Sequence, residues 1–268
     1  MEWKSFARHG REIADWGADY HETLRDRPVR AQTRPGEIFG QLPEEPPESG
    51  EDMEVILKDF EDIVMPGITH WQHPRFFAYF PANAAPPSML ADFLATVVAP
   101  QCMLWQTSPA ATEMETRMIR WLRRSLGLPQ DFTGAIQDSA STATLAAVLT
   151  MRETALEYKG KEQGLFGQQT LRIYCSDEVH TSVDRAIWFS GIGQDNLVRI
   201  PTKGPLRSMD PAALQQAVEA DIAAGLKPAG IIACTGGTST GACDNIDAVA
   251  DVAEAHGLYL HVDAAWAG

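Results

Sequence analysis

The chain has 268 residues, 44% hydrophobic and 22% charged, which is the composition of a globular protein with room for one large domain and an appendage. Its formal net charge of -14 argues against nucleic acid as a partner, because affinity for a polyanion comes largely from Lys and Arg neutralising phosphates. Four cysteines without CxxC spacing imply free thiols in a reducing compartment and hence a cytoplasmic protein, and no stretch approaches the roughly 20 apolar residues that span a bilayer.

Apolar Trp3, Phe6, Ile13, Trp16 and Tyr20 recur at roughly helical spacing over residues 2–25, and a proline-rich, poorly periodic stretch follows over residues 27–50. Such an arm either packs on its own domain or clasps a second subunit, and the pattern leaves both open. A second helix is expected over residues 52–64, ended near Pro66-Gly67.

From about Gly134 the pattern becomes α/β. SASTATLAAVLTMRETALEYKG, residues 139–160, reads as a Ser/Thr-rich turn opening a long helix. A strand over 171–175, a helix from about 180 to 189 and a strand over 196–200 follow, and Asp210-Pro211 caps a helix running to about 224. AGIIAC, the loop TGGTSTGACDN, the helix IDAVADVAEAHG and the strand LYLHV then form a βαβ unit. If its two strands are parallel in one sheet, their carboxyl ends share an edge, so the TGGTST loop and Asp263 lie on one rim.

Three features of this stretch carry chemistry. The run Gln137-Asp138-Ser139-Ala140-Ser141-Thr142 stands at a helix start, where free N–H groups and the helix dipole favour an anion, although Ser and Thr there are also ordinary caps. His180, just after a strand, offers a flat ring. A buried Asp263 held against a pyridine nitrogen keeps that nitrogen protonated, since deprotonation would leave the carboxylate unpaired in a low dielectric. An anion site, a flat-ring neighbour and an acid at a strand end are the parts that a pyridoxal phosphate site needs. Gly191-Ile192-Gly193 lacks the third glycine of a dinucleotide loop, and His70 with His73 lacks a third ligand, so no metal site is expected.

Five ordered segments together resemble the group II pyridoxal-phosphate-dependent decarboxylases, in particular the aromatic L-amino acid decarboxylase branch in its bacterial form. They are MPGITHWQHPRFFAYFP at 65–81, SPAATEMETRMIRWL at 108–122, IQDSASTATL at 136–145, SDEVHTSVDRA at 176–186 and HVDAAWAG at 261–268. The resemblance implies an α/β fold of the aspartate aminotransferase type, fold type I of the pyridoxal phosphate enzymes. A mostly parallel sheet would be flanked by helices in a large domain over 86–268, preceded by a helical arm and dimerisation segment over 1–85. It implies that Ser139, Ala140 and Ser141 hold the cofactor phosphate, that His180 lies against the ring and orients substrate, and that Ala265 packs near the other face. Asp263 would pair with the ring nitrogen, and Thr238 or Ser239 would add a hydroxyl contact. Trp71, Tyr79, Phe80, Pro81 and Ala82 would line the substrate side, favouring an aromatic amino acid. A homodimer is implied too, with the arm wrapping the partner and residues near Gln101 and Met103 reaching its site.

The family's Schiff-base lysine follows a histidine shortly downstream of a segment like HVDAAWAG. Lys4, Lys58, Lys159, Lys161, Lys203 and Lys227 all lie upstream of that segment and outside that context. The expectation is therefore an amino-terminal part of a longer protein, with a companion carboxyl-terminal segment carrying the lysine and the small domain. Asp138, where animal relatives carry Gly, Ala82, where they carry a hydroxyl residue, and Gln101 and Met103 depart from the family pattern and leave the substrate open.

Overall fold

The computed structural model describes residues 2–80 and 84–268, and the chain divides into two compact units between Gln101 and Cys102. In the first unit, α1 (Trp3–Thr23) is joined to α2 (Met53–Asp59) by the Arg8–Glu54 ion pair at 2.7 Å, and its Phe6 stacks on Phe93 at 6.0 Å. Trp16 stacks on Tyr20, meets Phe60 edge-on at 5.4 Å, and donates from Nε1 to Glu61 at 2.8 Å. The expected helix over 52–64 forms, but its end is a wider π-type turn, Phe60–Val64. His70 and His73, the HxxH pair, are both buried and tie chain segments together: Nδ1 of His70 shares a hydrogen bond with the Tyr20 hydroxyl at 2.8 Å, and Nε2 of His73 donates to the Arg25 carbonyl at 3.2 Å while its Nδ1 accepts from the Arg75 N–H at 3.0 Å. The third helix, α3 (Pro86–Val98), opens on two prolines and buries none of its residues.

The second unit starts with α4 (Pro109–Ser125) and continues through α5 (Ala140–Ala155) and the short α6 (Lys159–Gln163). The single long helix expected over 139–160 breaks after α5 because Glu157 and Tyr158 take left-handed backbone angles, φ 53° and 64°. Then come β1 (Leu171–Ser176), α7 (Ser182–Phe189), β2 (Leu197–Ile200), the small hairpin of β3 (Thr202–Lys203) and β4 (Ser208–Met209), α8 (Pro211–Ala223), β5 (Lys227–Cys234), α9 (Ile246–His256) and β6 (Tyr259–Asp263). The four longer strands form a parallel sheet in the order β2-β1-β5-β6.

Helices cover both faces of this sheet, which is why β1 over Ile173 to Cys175 and β5 over Pro228 to Cys234 read as continuous rather than alternating apolar runs. Val148 and Met151 of α5 and Val183 and Ile187 of α7 pack on Ile173, Cys175, Ile232 and Cys234. On the opposite face Leu214 and Val218 of α8 and Val249 and Val252 of α9 pack on Tyr174, Ile231 and Ala233. Gly230 lets α5 approach closely: a Cβ there would stand 2.6 Å from Met151 Sδ and 3.0 Å from the Tyr259 carbonyl. From β1 the chain goes outward to β2 and then crosses to β5 on β1's other side. The carboxyl ends of β1 and β5 are thus a topological switch point, the place where open parallel sheets bind ligands.

Candidate active site

Three of the segments singled out by sequence meet at that switch point. After β1 comes His180; after β5 comes the loop of residues 235–241; beside β5 ends β6 with Asp263, which pairs in register with Cys234. The Thr235 N–H donates to the Asp263 carbonyl at 2.9 Å, so loop and strand end form one rim, as the βαβ reading requires. His261 and Asp263 stand opposite Ile232 and Cys234, on the face that packs against α5 and α7.

The start of α5 lies in the same unit. Ser139 is its N-cap, with extended backbone angles (φ -157°, ψ 160°), and its Oγ accepts from the Thr142 N–H at 3.3 Å. Ser139, Ala140 and Ser141 are exposed, and the N–H groups of Ala140 and Ser141 have no partner among the described residues. Asp138 accepts from the Thr142 hydroxyl, which also lies 2.8 Å from Ser139 Oγ. The helix end thus combines free donors, small side chains and the positive end of the helix dipole.

His180 is half-buried, and its tautomer follows from its neighbours. The Ser182 N–H, which can only donate, points at Nδ1 from 3.1 Å, and Ser182 Oγ lies 2.9 Å from the same atom. Nδ1 therefore accepts, and the neutral ring carries its proton on Nε2, the nitrogen left to face a ligand. The helix expected from 180 begins two residues later, at Ser182, because His180 serves this turn.

Asp263 is half-buried rather than fully buried, and β6 is the outer of the four strands formed by the described residues. Its Oδ1 accepts from the Ala265 N–H at 3.2 Å, and no cation pairs with it among the described residues. The turn that carries Ala265 brings the Trp266 indole against Gly236, to whose carbonyl Nε1 donates at 2.5 Å. Gly236 has φ +77°, and a Cβ there would stand 2.8 Å from the indole, so glycine is needed for both backbone and space. Thr238 and Ser239 stand exposed at the loop tip. Burial first, then the Asp244 carboxylate, pushes the Cys234 thiol up to about 12, and burial does the same to Cys175, so neither is a thiolate nucleophile at neutral pH.

In the first unit, Trp71 stacks on Phe76 at 5.1 Å and on Tyr79 at 5.5 Å, the latter pair nearly parallel at 10°. Tyr79 is held at φ 54°, and Phe80 is exposed. Pro81 and Ala82 lie outside the described residues.

Sequence reasoning passed over Glu178, Arg207 and Asp244. Glu178 is buried and accepts from Arg207 and from the Thr240 hydroxyl, contacts that hold its carboxyl below the usual carboxylate range, the hydroxyl contributing most. Asp244 is buried and accepts from the N–H groups of Met209 and Cys234 at 2.7 and 2.8 Å, which fastens the β3-β4 hairpin to the end of β5. The acid in SDEVH was visible, but its partners lie 29 and 62 residues away, and no local pattern announces such pairs.

Residues 35–268 match the family model described as pyridoxal-dependent decarboxylase conserved domain. The chain is 40% identical over 280 residues to the aromatic-L-amino-acid decarboxylase of Mus musculus, covering 100% of this chain and 58% of that protein. It is 35% identical over 275 residues to the phenylacetaldehyde synthase of Arabidopsis thaliana, covering 100% of this chain and 55% of the other. The solved structure of Oryza sativa TDC with PLP and tryptamine is similar with a TM-score of 0.92 at 32% identity, over 100% of this chain and 58% of that one. The chain thus spans little more than half the length of the relatives it resembles.

Proposed function

Because the chain belongs to the pyridoxal-dependent decarboxylase family, we propose that it forms most of a pyridoxal phosphate pocket in a protein that decarboxylates an L-amino acid, in particular an aromatic one, to its amine. The observation that carries this reading is the shared rim: Asp263 sits in register beside Cys234, with the Thr238-Ser239 loop bonded to its strand end and His180 across the switch point.

The residues fit the cofactor's chemistry. The free N–H groups of Ala140 and Ser141 and the hydroxyls of Ser139 and Ser141 match a phosphate, which a helix N-terminus favours. Asp263 has an oxygen free of any cation and would hold a proton on the ring nitrogen. His180 would lie against the ring and present Nε2–H to the substrate, while Ala265 is small enough to pack near the other face. Thr238 or Ser239 adds a hydroxyl contact. Pyridoxal phosphate, when bound, supplies the electron-withdrawing ring that accepts the electron pair released as the Cα–carboxylate bond breaks. The resemblance assigns the substrate side to Trp71, Tyr79 and Phe80, and the stacked Trp71-Tyr79 pair suits an aromatic side chain better than an acidic one.

The anchoring lysine belongs to a companion segment in this proposal. Of the four lysines in the second unit, Lys203 pairs with Asp210, Lys159 with Glu157, Lys161 stands exposed in α6, and Lys227 starts β5 at the end opposite the site. The complete protein is a homodimer in the same reading. No helix among the described residues is long and apolar enough to cross a membrane, and the thiol content supports a cytoplasmic setting.

Asp263→Ala in the complete protein is expected to abolish turnover while leaving the fold intact; a variant keeping more than roughly a tenth of the rate would contradict an electron-sink partner contributing several kcal/mol. The similarity to phenylacetaldehyde synthase favours one second reading, in which the amino acid, molecular oxygen and water give an aldehyde, CO2, ammonia and hydrogen peroxide. Both reactions release CO2, so product analysis separates them by the amine on one side and by aldehyde, ammonia, peroxide and oxygen uptake on the other.

A further inference from the structure

Thr238 and Ser239 stand at the tip of the loop after β5 and make no hydrogen bond within the described residues, so their positions are set by what holds the loop on either side. On one side, Gly237 passes directly against the main chain of Glu178: a Cβ on Gly237 would lie 2.8 Å from the Glu178 carbonyl oxygen. On the other side, the Thr240 hydroxyl donates to Glu178 Oε2 at 2.5 Å. The opposite carboxylate oxygen, Oε1, receives both Nε and Nη2 of Arg207, at 2.6 and 2.5 Å. The Glu178 side chain is only 5% exposed, and the chemistry assigned above makes no use of it.

Arg207 is delivered to this point at some conformational cost, with φ +50° in the turn between β3 and β4, a region that favours glycine. That hairpin is fastened to both ends of the same loop. Asp244 accepts from Met209 and Cys234, the Cys243 N–H donates to the Leu206 carbonyl at 3.1 Å, and the Asn245 N–H donates to Ser208 Oγ at 3.0 Å. A buried carboxylate with three charge-assisted or hydroxyl hydrogen bonds, joining the β1-α7 turn, the hairpin and the loop, is a fixed point rather than a solvated surface acid.

We propose that Glu178, braced by Arg207, is a positioning residue that latches the loop of residues 235–241 so that Thr238 and Ser239 are held on the cofactor side of the rim. The inference rests on the reading that this loop contacts the cofactor. It assigns Glu178 no contact with substrate or ring.

The test uses the complete protein, pyridoxal phosphate titrated by fluorescence, and hydrogen exchange over residues 235–243. Glu178→Ala is expected to weaken cofactor binding about tenfold, the effect of losing a charge-assisted hydrogen bond, and Thr240→Val about threefold. Both should speed exchange in the loop and leave β1 and β5 unchanged. Glu178→Gln, which keeps an acceptor for Thr240 but not the charge facing Arg207, should fall between wild type and Glu178→Ala. If Glu178→Ala does not fold, Thr240→Val and Arg207→Ala decide. Unchanged affinity and exchange in those two, alongside weakened binding by a Thr238→Ala/Ser239→Ala double variant, would overturn the latch and leave the loop as a cofactor contact. Unchanged affinity in the double variant as well would remove the loop from the cofactor site, and the latch with it.

Discussion

Strand β5 and helix α3 are both rich in apolar residues, yet the molecule treats them in opposite ways. β5 buries Ile231, Ile232 and Ala233 completely, between α5 and α7 on one face and α8 and α9 on the other. α3, with Met89, Leu90, Phe93, Leu94, Val97 and Val98, buries nothing: Leu94 is 63% and Val98 70% exposed. Apart from the polar stripe of Ser88, Asp92 and Thr96, the helix is apolar, and so wide an apolar surface belongs against a cover. The difference teaches that the sheet is closed by this chain's own helices, whereas α3 presents a face made for a cover, in keeping with the proposed dimer.

Paired truncations break or sharpen that contrast most strongly. Leu214→Ala, in the closed core, should cost about 2–5 kcal/mol in a denaturant titration. Leu94→Ala should change the stability of the dissociated chain by less than about 0.5 kcal/mol, yet weaken association in sedimentation experiments on the complete protein. Equal costs at the two positions, with association untouched, would show that α3 is no interface. A smaller effect is expected at Gly230, where Ala must push against both Met151 and the Tyr259 carbonyl; we expect a loss of about 1–3 kcal/mol, read as a lower Tm. A Tm equal to wild type would mean that α5 is not pressed against the sheet there.

The smallest effect is a pH dependence. The Thr240 hydroxyl first, and then Arg207, hold the Glu178 carboxyl below its ordinary value, while burial opposes them. A carboxyl whose folded pKa is depressed adds stability that is fully present above its unfolded pKa, about 4.3, and lost as pH falls through the folded value. The stability gap between wild type and Glu178→Gln should therefore narrow as pH is lowered from 6 toward 3, on the scale of about one carboxyl. A gap constant across that range would mean that the ion pair contributes nothing to folding.

Much of the sheet is legible in the sequence because local signals agree there. Asp210 caps α8 with Pro211 at its first position, Asn245 caps α9, and the apolar runs of β1 and β5 are bounded by turns. α3 escaped the periodicity reading because its polar stripe, Ser88, Asp92 and Thr96, is narrow and apolar residues fill nearly all the rest. β3 and β4 escaped it because two residues each are too short for a pattern. In the site, Ser139, His180 and Asp263 are legible as a cap, a ring after a strand and an acid at a strand end. The degree of burial of Asp263 was not, since a sequence does not say what packs over a strand end. Nor were Glu178 with Arg207 and Thr240, whose meeting is produced by the crossover of the chain rather than by spacing.

The place of β6 as the last of these strands in the chain also has a consequence in time. A ribosome delivers β1, β2 and β5 before β6, and the first three can pair and collect their helices as they emerge, since domains assemble in the order of synthesis. Asp263, the acid proposed for the ring nitrogen, then arrives after the start of α5 and His180 have been synthesised. If the proposed roles hold, a nascent chain short of β6 would carry the free N–H groups at the start of α5 without the acid proposed for the ring nitrogen.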